Sequence, residues 1–173
     1  MAKLQLNLPS AWHGIAFRVR YQENDPMGVV YHTNYLNWFE LGRTEMIRDL
    51  GFRYRDMEQA GVLLPLVDAS LSYGHPARYD DRVAVYTRIV NFSRLRIDYE
   101  YRIHLLDEQD EQSVGDASSS RQRPVFADDA KLPGKHLTSG STRHVWVSRE
   151  FVPVRLDKVL PELYDALVRS LQV

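Results

Sequence analysis

The groups best suited to chemistry lie in one stretch, Asp25-Pro26-Met27-Gly28-Val29-Val30-Tyr31-His32-Thr33-Asn34-Tyr35. A carboxylate stands seven residues ahead of His32, where a helical pattern opens. The first N–H groups of a helix have no partner within it, and the positive end of its dipole points outward there. Such donors can stabilise negative charge developing on a substrate carbonyl. A carboxylate beside them could attack that carbonyl as a nucleophile, or act as a general base toward water. Gly28 permits close approach of the backbone. The same residues also read as a plain connection, because Asp-Pro is a common turn dipeptide and His32 could simply cap the helix.

The elements on either side must position this stretch. Residues 14–22 alternate, with Ile15, Phe17, Val19 and Tyr21 on one face and Arg18, Arg20 and Gln22 on the other, which predicts a half-buried strand. Residues 34–50 switch to helical period, with Tyr35, Phe39, Met46 and Leu50 on one stripe, Leu36 and Ile47 beside it, Thr33 or Asn34 as N-cap and Gly51 as the stop. Gly42 lies on that stripe, where a glycine costs ~1 kcal/mol against alanine, so this face should pack closely on another backbone. Further strands are expected over 63–73, over 82–92 with Val83, Val85 and Ile89 on one face and Ala84, Tyr86, Val90 and Phe92 on the other, over 95–106 with Leu95, Ile97, Tyr99, Tyr101, Ile103 and Leu105 alternating against polar residues, and over 138–148, the middle two forming a hairpin across Ser93 and Arg94. A C-terminal helix is expected over 157–170. Residues 107–136 differ in kind. Only seven of these thirty are hydrophobic, against 44% of the whole chain, and seven acids with four bases leave a charge of −3, which reads as a long polar loop. The sum is an α+β domain of five mostly antiparallel strands with one long helix on a sheet face. One helix covers only part of such a sheet, so another subunit should bury some of the rest.

Composition removes several classes. The 173 residues predict a single domain, and 22 basic against 23 acidic residues argue against a protein that holds nucleic acid mainly by charge. There is no cysteine, hence no disulfide scaffold, thiol nucleophile or cysteinyl metal site, and a reducing, cytoplasmic setting is expected. The longest apolar run, Val62–Val67, is interrupted by Pro65, far short of the ~20 residues of a membrane helix. No G-x-S-x-G, H-E-x-x-H or G-x-G-x-x-G occurs, and the six histidines show no metal spacing within a helix.

The pattern Arg20-Tyr21, Asp25-x-x-Gly28-Val29-Val30-Tyr31-His32-x-x-Tyr35-x-x-x-Phe39-Glu40, Arg43-Thr44-Glu45 resembles the 4-hydroxybenzoyl-CoA thioesterase family of hot-dog proteins, nearest the branch that includes Tol-Pal-associated enzymes. Pro76-Ala77-Arg78-Tyr79-Asp80-Asp81, Gly140-x-Thr142-x-His144-Val145 and Val152-Pro153-Val154-Arg155-Leu156 extend the resemblance to about two-thirds of the chain. It implies a hot-dog fold, a five-stranded antiparallel sheet wrapped around the long helix, assembled as a dimer or tetramer. It also implies hydrolysis of an acyl-CoA thioester without metal or separate cofactor, CoA being part of the substrate. The family's catalytic carboxylate maps onto Asp25 and its carbonyl-polarising amide onto the backbone N–H of His32. The His32 side chain and Tyr35 line the same site, Gly28 shapes the turn, and Val29, Val30 and Tyr31 fall among the substrate-binding positions. Arg94 and Arg96 are candidates for the CoA phosphates, though solvated arginines at a strand end are the simpler reading of them. The chain departs from the pattern at 107–136, where relatives have a short turn. Arg78 and Asp81 read as a structural turn. Rival readings are an acyl-carrier-protein thioesterase and a CoA- or carrier-binding module without turnover.

Overall fold

A computed structural model describes residues 6–119 and 123–172 of the chain. Residues 1–5, 120–122 and 173 lie outside the described residues, and with them three positions of the expected 107–136 loop. In chain order come β1 (Trp12–Arg18), α1 (Asn34–Asp49), α2 (Tyr54–Gln59), β2 (Leu66–Tyr73), β3 (Arg82–Phe92), β4 (Arg96–Leu105), β5 (Val125–Phe126), β6 (Lys135–Val145), α3 (Leu156–Val159) and α4 (Pro161–Ser170). The strands form one antiparallel sheet in the order β2-β6-β4-β3-β1-β5. Five are those expected; β5, two residues long, is the addition. No described helix is long and apolar enough to cross a membrane.

The long helix lies on the sheet as the hot-dog arrangement requires, and two glycines set how closely. Phe39 stacks on Tyr101 of β4 with ring centroids 4.3 Å apart. A side chain at Gly140 of β6 would strike that same Phe39 ring, and one at Gly42 would stand 2.9 Å from Val85 Cγ1 and closer still to Thr87 Oγ1 on β3. Gly42 is therefore a close-packing position, but what presses on it is the side chains of Val85 and Thr87 rather than the backbone expected from its place on the apolar stripe. Tyr35, Trp38, Phe39 and Ile47 are the buried apolar residues of α1, while the expected Met46 and Leu50 are only partly buried. Thr33 occupies the N-cap position, but its hydroxyl makes no cap bond; Asn34 Nδ2 instead donates to the Glu23 carbonyl at 2.9 Å.

Strand phase departs from the sequence reading in two places. β1 ends at Arg18 and the chain winds into a 3-10 turn at Tyr21–Glu23, so Tyr21 is 80% exposed rather than inward. A bulge between Ile89 and Asn91 turns Phe92 onto the helix side of the sheet. The expected C-terminal helix is two helices, broken at Leu160 ahead of Pro161, where proline disfavours the helical conformation of the preceding residue.

The segment after β4 folds back on the sheet. Ala16 donates to the Gly115 carbonyl and accepts from Ala117, both at 2.8 Å, and β5 pairs with β1 beyond them. Val114 and Leu132 cover Trp12, Ala16, Ala84 and Tyr86, a second small core on the face opposite α1. This is why β1 and the middle of β3 are buried on both faces, where a half-buried strand was expected.

His144 of β6 is fully buried and meets Thr142 Oγ1 through Nε2 at 2.9 Å. Burial, with the nearby Arg43 charge, holds its imidazole down at about 4. The unfolded chain then binds the extra proton below about pH 6.5, and the folded chain only near pH 4. Stability is therefore lost as pH falls through that window, by about 2 kcal/mol between pH 7 and pH 5 from this group. Urea unfolding at the two pH values should show that the loss is smaller in His144→Gln. Equal losses in both proteins would mean that this histidine accepts its proton in the folded state.

Candidate active site

The turn between β1 and α1 is closed by its own backbone. Asp25 N–H donates to the Val29 carbonyl at 2.9 Å, and Gly28 N–H donates to the Asp25 carbonyl at 3.0 Å. Gly28 has φ +75°, a conformation that side chains disfavour, so glycine is required to make the reversal. The Asp25 carboxylate is half-buried and accepts one hydrogen bond, from Met27 N–H to Oδ1 at 2.8 Å, leaving Oδ2 for other work.

The turn is fastened to the helix by Glu23. Its carbonyl accepts from Tyr31 N–H at 2.9 Å and from the Asn34 side chain. Its buried carboxylate accepts from Trp38 Nε1 at 2.9 Å and from Arg20 N–H at 2.7 Å. On the other side, Ala77 serves as a hub. Val30 N–H donates to its carbonyl at 2.9 Å, and Ala77 N–H donates to the Tyr35 hydroxyl at 3.1 Å. The Arg78 guanidinium reaches the Gly28 carbonyl at 3.2 Å, while Arg78 N–H donates to Asp81 Oδ2 at 2.8 Å. Arg78 and Asp81 thus form the structural turn expected of them, and Arg78 adds a tie to the Asp25 loop.

These ties do not use the His32 N–H. Asn34 N–H donates to the Tyr31 carbonyl at 2.9 Å. The C=O and N–H of one trans peptide point in opposite directions, so the His32 N–H is turned away from the helix body. Among the described residues it meets no acceptor. Asp25, Met27, Val29, Val30, His32 and Tyr35 line one cavity of about 280 Å³ with Tyr73, Gly74, His75 and Pro76. Asp25 and His32 therefore line a common space, and a carboxylate beside an unsatisfied helix-start amide can attack a carbonyl whose oxygen is held by that amide. Burial raises the hydroxyl pKa of both Tyr35 and Tyr73 above its ordinary value. A larger cleft of about 580 Å³ runs between β1 and α1. Its buried carboxylates are already matched, Glu23 by Arg20 and Trp38, Glu45 by Arg48 and Arg123, so it offers no comparable reactive group.

Of the residues singled out in the sequence, the cavity brings together Asp25, Val29, Val30, His32 and Tyr35, with Gly28 shaping the turn and Tyr31 beside it, its ring 4.4 Å from that of His32. Tyr35 is 2% exposed and forms wall rather than open surface. Arg94 and Arg96 are not brought there within one subunit. They flank the β3–β4 turn, at the end of the sheet where Arg96 pairs with Val145 and Leu66 with His144, whereas the cavity opens at the Tyr73 end of β2. Arg94 faces Asp157 at 3.5 Å and Arg96 faces Asp98 at 3.4 Å. Sequence reasoning missed Glu23, His75 and the anchoring role of Ala77. No spacing marks Glu23, because the 3-10 turn breaks the strand phase that would have placed it.

Comparison with known proteins places the chain in a family of the same fold. A family model described as the thioesterase-like superfamily matches residues 19–166. The chain is 37% identical over 153 residues to YneP of Bacillus subtilis, a provisionally named acyl-CoA thioesterase, covering 88% of this chain and 92% of the relative. It is 30% identical over 132 residues to the acyl-CoA thioesterase YbgC of Haemophilus influenzae, covering 72% and 97%. Among solved structures, a DHNA-CoA thioesterase from Staphylococcus aureus superposes with a TM-score of 0.73 at 32% identity, over 91% of this chain and 89% of that one.

Proposed function

The chain belongs to the thioesterase-like superfamily, and from that premise we propose how its own residues hydrolyse an acyl-CoA thioester to a carboxylic acid and free CoA. The observation that carries the reading is the shared cavity of the Asp25 carboxylate and the unpartnered His32 N–H. The thioester carbonyl oxygen accepts from that N–H, which stabilises the negative charge gathered there at the transition state. Asp25 then follows one of two routes. As nucleophile, a carboxylate oxygen bonds to the carbonyl carbon, the C–S bond breaks, CoA leaves as thiolate and takes a proton, and water opens the mixed anhydride. As general base, Asp25 takes a proton from a water whose oxygen bonds to the carbonyl carbon, the C–S bond breaks, and the CoA thiolate leaves and takes up a proton. Tyr35 and Tyr31 shape the walls, Val29 and Val30 meet the acyl group, and neither route calls on a metal or added cofactor.

The subunits in this reading form one hot-dog unit each and join edge to edge through β2. That strand ends the sheet, with Leu66 at 47%, Val67 at 52% and Tyr73 at 51% exposure, and an unpaired strand edge invites pairing. In an antiparallel β2–β2 pair the Leu66 end of one strand meets the Tyr73 end of the other. The β3–β4 turn, about 23 Å from the cavity along its own strand, would thereby approach the cavity of the other subunit. Arg94 and Arg96 of the partner subunit then become available to the CoA phosphates. The covered outer face of β1 and β3 favours this dimer over a face-to-face tetramer. We place the reaction in the cytoplasm, in keeping with a chain that has no cysteine.

The test is thiol release from short aliphatic, long aliphatic and hydroxybenzoyl CoA thioesters by the wild-type protein and Asp25→Asn in parallel. Turnover present in the first and absent in the second is the expected result, and it ranks the acyl groups. No turnover on any member, with acyl-CoA still bound, would favour a binding module; turnover confined to acyl-carrier-protein thioesters would change the donor.

A further inference from the structure

The His32 peptide is held from both sides, and the second hold comes from an unexpected place. His32 lies just ahead of α1, and its carbonyl stands outside the helical ladder. In a regular helix the Leu36 N–H would donate to it, yet Leu36 N–H goes to the Thr33 carbonyl at 3.1 Å. The His32 carbonyl instead accepts from the Tyr73 hydroxyl at 2.9 Å, across 41 residues of sequence. Tyr73 is the last residue of β2 and pairs with Thr138 of β6. The chain just past it is pinned, because Gly74 N–H and His75 N–H both donate to the Leu137 carbonyl, at 2.9 and 3.0 Å. Its ring stands edge-on to Tyr35 at 5.4 Å, and the Tyr35 hydroxyl is itself held by Ala77 N–H. The hydroxyl of Tyr73 is thus presented from a fixed strand end rather than a loose side chain.

We propose that Tyr73 is a positioning residue for the reaction: by holding the His32–Thr33 peptide it fixes the torsions of His32 and so the aim of the His32 N–H into the cavity. The preceding peptide is fixed by the bond from Asn34 N–H to the Tyr31 carbonyl. With one peptide anchored on each side of its α-carbon, His32 cannot rotate without breaking a hydrogen bond. An oxyanion donor must be placed before the charge develops, since a donor that reorients during the reaction gives back much of its benefit. Tyr73 therefore acts on the transition state through His32. It also links the sheet edge to the helix start, so the two walls of the cavity keep one spacing.

This inference rests on the thioesterase reading above, and the experiment separates the two. Tyr73→Phe keeps the ring and its packing and removes only the donor. Its kcat on the best CoA thioester should fall about tenfold. KM, and the Kd of the matching non-hydrolysable thioether, should stay within twofold, because the bond from this amide gains most of its strength as charge develops on the oxygen and the thioether offers no carbonyl to it. Incorporation of 4-aminophenylalanine at position 73 restores an N–H donor at the same ring position and should recover most of kcat. Unchanged kcat in Tyr73→Phe overturns the proposal, as does a loss carried by KM and thioether affinity, which would make Tyr73 a binding wall only. Failure of the amino variant to recover the rate overturns it as well, and if Tyr73→Phe does not fold, the amino variant alone decides, by keeping kcat or losing it. Asp25→Asn run beside them reports on the thioesterase reading: if it abolishes turnover while Tyr73→Phe is neutral, only the positioning role is wrong.

Discussion

Asp25→Asn is expected to lower kcat for thioester hydrolysis by about a thousandfold or more while leaving the fold intact. The magnitude follows from either role open to the carboxylate. A general base in the transition state contributes about 10²- to 10⁴-fold, and an amide can act neither as that base nor as a nucleophile. The fold should survive because the one hydrogen bond that Asp25 makes through its side chain, Oδ1 accepting from Met27 N–H at 2.8 Å, is available to the carbonyl oxygen of asparagine. The turn is held otherwise by backbone bonds between Asp25, Gly28 and Val29, which the substitution does not touch. The thermal midpoint should therefore move little while thiol release stops. His32→Ala provides the contrast. It deletes the imidazole but keeps the N–H, so its loss of kcat should be far smaller, about tenfold or less. A His32→Ala loss as deep as that of Asp25→Asn would give the imidazole a chemical role of its own. Wild-type rates in Asp25→Asn would remove Asp25 from the reaction altogether.

How far the sequence foretold this site depends on which physical signals are local. The Asp25 turn and the start of α1 were legible because both are written in short-range terms: a glycine that can take positive φ, then a switch from period two to period 3.6. Gly42 was legible for the same reason, a helix-weakening residue on an apolar stripe that only close packing explains. β4 was readable residue by residue, since its inner face alternates strictly from Ile97 to Ile103. What escaped depends on distant partners. Tyr73 meets His32, and Ala77 meets both Val30 and Tyr35, through bonds that bridge more than forty residues and leave no spacing to read. Phe92 changed faces because one bulge inverted the phase of everything after it. The 107–136 segment read as a polar loop because few of its residues are apolar. Yet those few include Val114, Phe126 and Leu132, placed where they close over Trp12 and Tyr86.

The largest stability effect expected anywhere in the chain comes from that same polar segment, at Arg123. Its guanidinium is nearly buried, with 3% side-chain exposure, and faces two carboxylates of α1: Nη2 meets Glu45 Oε2 at 2.7 Å and Nη1 meets Asp49 Oδ1 at 2.7 Å. It also donates to the carbonyls of Ala117 and Ser119 at 2.9 and 3.1 Å, so one side chain ties the segment to itself and to the helix. Glu45 and Asp49 stand four residues apart on one helix face, where like charges repel. Arg48 and His13 still contact them, but Arg123 is the group that bridges both. Arg123→Ala leaves these carboxylates short of charge in a partly dry site, a change that costs about 3 kcal/mol or more when a buried pair loses one member. Urea unfolding at pH 7 should register it as a lower midpoint with an unchanged slope. The acid limb offers an independent check. Burial alone would raise the Asp49 carboxyl, but its bond to His13 and the charges of His13 and Arg123 outweigh that and hold it below the usual carboxylate range. Its contribution to stability is thus present above the unfolded value near 4 and is lost as pH falls through the lower folded value. In Arg123→Ala the folded value rises toward the unfolded one, so less stability is left to lose in acid and the two unfolding curves should converge at low pH. Thioester turnover below the melting range should stay within twofold of wild type, because Arg123 holds the far end of α1 and touches nothing that lines the Asp25 cavity. A variant as stable as wild type at pH 7 would mean that the contacts of Glu45 with Arg48 and of Asp49 with His13 already suffice for the pair, and that the segment stays on the sheet through its apolar contacts alone.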